Sequence, residues 1–125
     1  MRVLLDTHIL YWWFYEPEKL SSSALETIKG AEEVCFSSAS LWEIAIKVRL
    51  GKIKADPRQI LRWTGQSDFV EVPIFSRHTL LVAALPMHHS DPFDRLLISQ
   101  AMSEPLHLLT ADAQLKPYSK LVLWV

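Results

Sequence analysis

Arg2-Val-Leu-Leu-Asp6 is a short apolar run that stops at an acid. A strand covered on both faces reads this way, because neither face meets water and no polar alternation is needed. Four comparable runs follow, at Val34-Cys-Phe-Ser37, Phe69-Val-Glu-Val-Pro-Ile74, His107-Leu-Leu-Thr110 and Leu121-Val-Leu-Trp-Val125. Helically spaced segments separate them. Ser21–Lys29, Ser40–Leu50 and Asp56–Thr64 are each followed by a glycine (Gly30, Gly51, Gly65), where a left-handed residue is expected to end the helix. Asp56 is a natural N-cap with Pro57 at the first helical position. Ser76–Leu85 stops at Pro86, and Asp91–Ser103 opens with a cap-and-proline signal and closes before Pro105. This alternation predicts an α/β fold, a three-layer sandwich with a central parallel β-sheet, in one domain spanning residues 1–125.

Composition narrows the functions such a fold could carry. The 125 residues suffice for one core, half of them are apolar and 22% are charged, which fits a globular protein rather than a disordered one. No run reaches the ~18 apolar residues of a membrane span, and Met1–Leu10 does not read as a signal peptide. The one cysteine, Cys35, has no partner for an internal disulfide, so a cytoplasmic location is expected. Three glycines leave no material for a phosphate-cradling loop, which argues against P-loop and dinucleotide enzymes. No nucleophile elbow or serine triad can be assembled.

The acids carry the chemistry. Asp6 ends the first strand, Glu43 falls in the first turn of the helix after the second, and Asp112 lies two residues beyond the fourth. In an open parallel sheet the carboxyl ends of all strands share one edge, where ligand crevices form. Asp91 and Asp94 open the helix preceding the fourth strand, and a helix running back across the sheet begins near that same edge. Each acid also has a structural reading: Ser40-x-x-Glu43 as a capping box, Asp91 as an N-cap, Asp94 at the third helical position. Together they are harder to dismiss. Two carboxylates ~4 Å apart repel by roughly 1 kcal/mol in water and about 4 kcal/mol at a protein-like dielectric, so a convergent set calls for a cation. Oxygen donors without cysteine or a clear histidine pair point to Mg²⁺ or Mn²⁺ rather than zinc. Asp94 is the freer of its pair to face the crevice, and Asp91 is the additional candidate.

Leu4-Leu-Asp-Thr-His8, Ser37-Ser-Ala-Ser-Leu-Trp-Glu-Ile-Ala-Ile-Lys47, Asp91-Pro-Phe-Asp-Arg-Leu-Leu-Ile-Ser-Gln-Ala101 and Leu109-Thr-Ala-Asp112 occur in that order. The set resembles the motifs of PIN-domain ribonucleases, specifically the VapC-type toxins of bacterial toxin–antitoxin pairs, over nearly the whole chain. The resemblance implies a PIN-like parallel α/β fold and a divalent metal held by Asp6, Glu43, Asp94 and Asp112. It also implies an RNA substrate cut to 5′-phosphate and 3′-hydroxyl ends, homodimers, and a small antitoxin whose tail fills the active-site groove. Asp91 belongs to a variant of the third motif, and Ser99 stands where alanine is usual. In the expected chemistry Asp6, Asp94 and Asp112 hold the metal while Glu43 orients or deprotonates a metal-bound water. Thr7 and Thr110 could orient the neighbouring carboxylates through their hydroxyls.

Lys47, Arg49, Lys52, Lys54, Arg58 and Arg62 form a basic run that could attract phosphate despite a net charge of −1. Lys47, Arg49 and Arg95 are the candidate substrate contacts. Tyr11-Trp-Trp-Phe-Tyr15 is expected to bury about half its rings and offer the rest to a protein partner. Trp42 is expected in the core. His88 and His89 read as divergent loop residues rather than a zinc pair. Two other functions fit less well: a receiver-like phosphoacceptor domain, which would need a second acid where Thr7 stands, and a non-catalytic PIN-like binding module, which would not need every acidic position filled.

Overall fold

The computed structural model describes residues 1–125, and five strands form one sheet. They are β1 (Arg2–Leu5), β2 (Glu33–Ser37), β3 (Val70–Val72), β4 (His107–Thr110) and β5 (Val122–Trp124), in the order β3-β2-β1-β4-β5 with every neighbour parallel. Six helices connect them: α1 (Thr7–Tyr15), α2 (Ser22–Gly30), α3 (Ser38–Arg49), α4 (Pro57–Gln66), α5 (Ser76–Ala84) and α6 (Pro92–Ser103). Short 3₁₀ segments at Pro17–Lys19 and Ala113–Tyr118 complete the chain. The expected three-layer parallel sandwich is the fold observed. No helix is long and apolar enough to cross a membrane.

Strand pleating divides the core in two. Val3, Leu5, Val34, Phe36 and Leu109 point to one face and pack with Ile9, Ile28, Ile44 and Ile60 from α1 to α4. Leu4, Cys35 and Leu108 point to the other and meet Leu97, Ile98 and Ala101 of α6, with Leu115 and Tyr118 from the second 3₁₀ segment. Neighbouring residues of one strand thus serve opposite layers, which is why these runs carry no polar alternation. The chain winds from β1 to β3 with α1–α4 on one face. It then crosses back beyond β1 with α6 on the other, as right-handed crossovers require when the winding reverses.

The reversal puts a switch point between β1 and β4, where the two halves of the sheet diverge and a crevice opens at the strand carboxyl ends.

Several local expectations are corrected. Only Gly51, with φ 71°, is left-handed; Gly30 and Gly65 sit inside the last turns of α2 and α4. The turn after α4 is made instead by Asp68 at φ 58°, a residue type that tolerates this conformation. Helix α3 begins two residues earlier than expected, with Ser37 capping the Ala39 amide, so Ser40-x-x-Glu43 is not a capping box and Glu43 lies in the second turn. The aromatic run is less available than expected. Phe14 stacks on Trp63, Trp13 meets Phe69 and Tyr15 meets Trp63 edge-on, all five rings being partly buried against the first core. Trp42, expected inside, is 57% exposed and lies edge-on to Phe93. Ser99 is buried and donates to the Leu96 carbonyl, which satisfies its hydroxyl within α6.

Candidate active site

Asp6 follows β1 directly, and its amide donates to the Leu109 carbonyl at 3.0 Å, tying the ends of β1 and β4 together. Its side chain is the N-cap of α1: Oδ1 accepts from the Ile9 amide at 2.8 Å, and Oδ2 accepts from the Thr110 hydroxyl. Thr110 Oγ1 in turn accepts from the Asp112 amide at 3.0 Å, so one hydroxyl positions two of the acids. Asp112 caps the 3₁₀ segment through the Gln114 amide. Asp91 caps α6, its Oδ1 accepting from both the Phe93 and Asp94 amides, which leaves Asp94 in the first turn without a capping duty. Asp6, Asp94 and Asp112 line one cleft of about 330 Å³ together with His8, Trp12 and Ala111. Three element N-termini meet here, and their positive ends explain why acids can cluster at this edge at all.

Glu43 acts on the same cleft from α3. It is 5% exposed, Oε2 pairs with Lys47 Nζ at 2.8 Å, and Oε1 is buried with no hydrogen-bond partner. The other such oxygen, Gln100 Oε1, lies where α6 packs on the end of β3. Burial pushes the Asp6 carboxyl up to about 6, and the charges of Glu43 and Asp112 add to the rise while the Thr110 and Ile9 hydrogen bonds oppose it. Burial also pushes Asp94 up to about 6, followed by repulsion from Asp91, with further contributions from Asp6 and Glu43; the His89 hydrogen bond opposes it. The structure therefore brings the four sequence-predicted acids close enough to act on one another, with Lys47 beside Glu43 as the one lysine or arginine paired with them.

A divalent cation fits this donor set. The orphaned Glu43 Oε1, the two carboxyls that resist ionisation and the oxygen-rich lining all describe a site that gains stability from positive charge.

Sequence reasoning missed His89. Its Nε2 lies 2.9 Å from Asp94 Oδ2 and 3.6 Å from Asp112 Oδ2. The adjacent histidines do diverge: His88 packs against the Tyr118 ring at 5.0 Å while His89 turns into the cleft. The signal lay in a distant residue, because Tyr118 OH accepts from the His89 amide at 2.8 Å and donates to its carbonyl at 3.2 Å.

Two further expectations change. Arg95, expected at substrate, is buried; its guanidinium donates to the carbonyls of Val82, Leu85, Pro86 and His89 and to the Tyr118 hydroxyl. Those partners leave it holding the loop before α6 rather than free for phosphate. Thr7 does not orient Asp6 but shares a 2.9 Å hydrogen bond with Ser40, joining α1 to α3.

Thr110 is the residue whose loss should be felt most directly by Asp6. Replacing it (Thr110→Val) removes the donor to Oδ2 and strands the Asp112 amide. An NMR titration is expected to show the Asp6 carboxyl rising above its parent value, with stability falling by about 1–3 kcal/mol.

A family model described as PIN domain matches residues 3–121. Ribonuclease VapC22 of Mycobacterium tuberculosis is 34% identical over 120 residues, covering 93% of this chain and 91% of that protein. Among solved structures, VapBC2 from Rickettsia felis bound to a DNA fragment from its promoter superposes with a TM-score of 0.71 at 20% identity, covering 100% of this chain and 98% of that one. FitAcB from Neisseria gonorrhoeae superposes with 0.67 at 13% identity (98% and 96%), and a toxin–antitoxin complex from Klebsiella pneumoniae with 0.67 at 18% identity (97% and 95%).

Proposed function

The chain belongs to the PIN-domain family, and from that premise we propose that it is a divalent-metal-dependent endoribonuclease, the toxin of a toxin–antitoxin pair. The observation that carries this reading is the convergence of Asp6, Asp94 and Asp112 on one cleft with the unpartnered Glu43 oxygen behind it. The relative named a ribonuclease and the toxin–antitoxin complexes of the same fold support it.

Asp6, Asp94 and Asp112 are the residues that would hold Mg²⁺ or Mn²⁺, with Glu43 serving the attacking water. When bound, the ion supplies Lewis-acid stabilisation of the charge that builds on the phosphoryl oxygens during in-line attack by water. The protein's own residues do the rest. Thr110 and the Ile9 amide fix the Asp6 carboxylate in one orientation, so no reorganisation is needed at the moment of reaction. Lys47 occupies Glu43 Oε2, which leaves Oε1 as the oxygen able to orient the attacking water and take its proton. Arg49, in the last turn of α3, draws the RNA backbone toward the cleft, while Lys47, expected at substrate, is held by Glu43. Asp91 acts through its cap, placing the first turn of α6 and hence Asp94.

We assign the chain a small antitoxin as its partner and a homodimer as its assembly; exposed Trp42, beside Phe93, Val82 and Leu96, is an apolar surface of the kind protein partners cover. A cytoplasmic location suits the lone, buried Cys35.

Incubation of the protein with RNA tests the reading. Cleavage is expected with Mg²⁺ or Mn²⁺, to vanish with EDTA, and to fall at least about a hundredfold in Asp94→Asn. The fragments are expected to carry 5′-phosphates, detected by direct adaptor ligation. Cleavage that survives EDTA, or an unimpaired Asp94→Asn variant, would contradict it.

A further inference from the structure

The loop between α5 and α6 delivers an imidazole into the acid cleft. His89 Nε2, Asp94 and Asp112 each offer one donor atom within 4.8 Å of the others. The closest pairs, at 2.9 and 3.6 Å, bracket the separation of about 3.0 Å expected between adjacent donors around an octahedral ion bound at about 2.1 Å. Nothing accidental sets this placement. The Tyr118 hydroxyl takes the His89 amide, returns its hydrogen to the His89 carbonyl and accepts from Arg95, while Arg95 holds the carbonyls on either side of the loop. Such anchoring is how a ligand ring is preorganised from a flexible connection. A second observation points to a cation here: Glu43 Oε1 is buried with no hydrogen-bond partner.

We propose that His89 is a nitrogen ligand of the divalent cation in this cleft, making the site a mixed imidazole–carboxylate centre that favours Mn²⁺ over Mg²⁺. The inference rests on the reading that the acid cluster holds a divalent cation, and it adds a donor that all-oxygen reasoning from the sequence excluded. Ligation uses Nε2 in the tautomer whose ring hydrogen is on Nδ1. A nitrogen donor strengthens binding of first-row transition ions, whereas Mg²⁺ is held by oxygen and water.

Calorimetric titration of the intact protein with MnCl₂ and with MgCl₂ tests this without RNA. His89→Gln keeps the backbone clamp, since Tyr118 and Arg95 bind only the main-chain atoms of His89. It is expected to lose at least about tenfold in Mn²⁺ affinity and much less in Mg²⁺ affinity. Pulsed EPR of the Mn²⁺-loaded protein is expected to show modulation from a directly bonded nitrogen that disappears in His89→Gln and persists in His8→Gln. Equal losses for both ions, or Mn²⁺ binding without nitrogen modulation, would overturn the ligand assignment and leave the cation site standing. Failure of the parent protein to bind either ion would overturn both.

Discussion

Asp6→Asn is expected to stabilise the cation-free protein at pH 7.5 by about 2 kcal/mol while cutting RNA cleavage at least about a hundredfold. The stability gain follows from where Asp6 sits. A carboxyl raised from 3.8 to about 6 is bound to its proton more tightly in the folded chain than in the unfolded one. The parent therefore loses stability as pH climbs from about 4 through about 6, and each tenfold rise in proton affinity on folding costs about 1.4 kcal/mol once the group is ionised. Asparagine carries no charge and escapes this penalty, yet keeps an oxygen to accept the Ile9 amide, so the α1 cap survives. Some of the gain is offset because the buried amide NH₂ replaces Oδ2, so the Thr110 hydroxyl loses its acceptor. Urea denaturation across pH is the measurement: the variant's advantage should be full above pH 7 and absent below pH 4. Adding MnCl₂ should reverse the order, because the parent gains binding energy that the variant has lost. A variant less stable than the parent at pH 7.5 would mean that the Asp6 charge is already compensated.

Arg95→Met is expected to destabilise the fold by about 3–5 kcal/mol. The side chain is 8% exposed and reaches four main-chain carbonyls, of Val82, Leu85, Pro86 and His89, besides the Tyr118 hydroxyl. Methionine fills much of the volume but leaves those acceptors without a donor. The loss should extend beyond stability: hydrogen exchange at the His89 amide should accelerate, and divalent-cation affinity should fall as the loop loosens. A loss below about 1 kcal/mol with unchanged exchange would show that solvent satisfies the carbonyls and that the loop holds itself.

Much of this architecture is legible in the chain because its determinants are local. Runs such as Arg2–Leu5 and His107–Thr110 announce strands buried on both faces, and acids placed at strand ends and helix starts are carried to one edge by parallel topology alone. Asp6, Asp94 and Asp112 could be assigned to the cleft for that reason. What was not legible depends on contacts far apart in sequence. His89 enters the cleft because Tyr118, 29 positions away, clamps its backbone. Arg95 adjoins a cleft-lining acid yet turns inward, because the loop supplies carbonyls that only folding brings together. Thr7 and Thr110 flank the site equally in sequence, but only Thr110 reaches Asp6, since Ser40 of α3 takes the Thr7 hydroxyl. Trp42 illustrates the same limit. Its apolar character predicts burial, whereas its position on α3 turns it outward beside Phe93.

The convergence of these acids into a cation site is tested most directly by anomalous diffraction from crystals soaked in MnCl₂. A peak is expected in the cleft bounded by Asp6, Asp94 and Asp112, weakened or lost in Asp94→Asn. A Mn²⁺ peak only elsewhere on the surface, with the cleft empty at saturating concentration, would contradict the assignment.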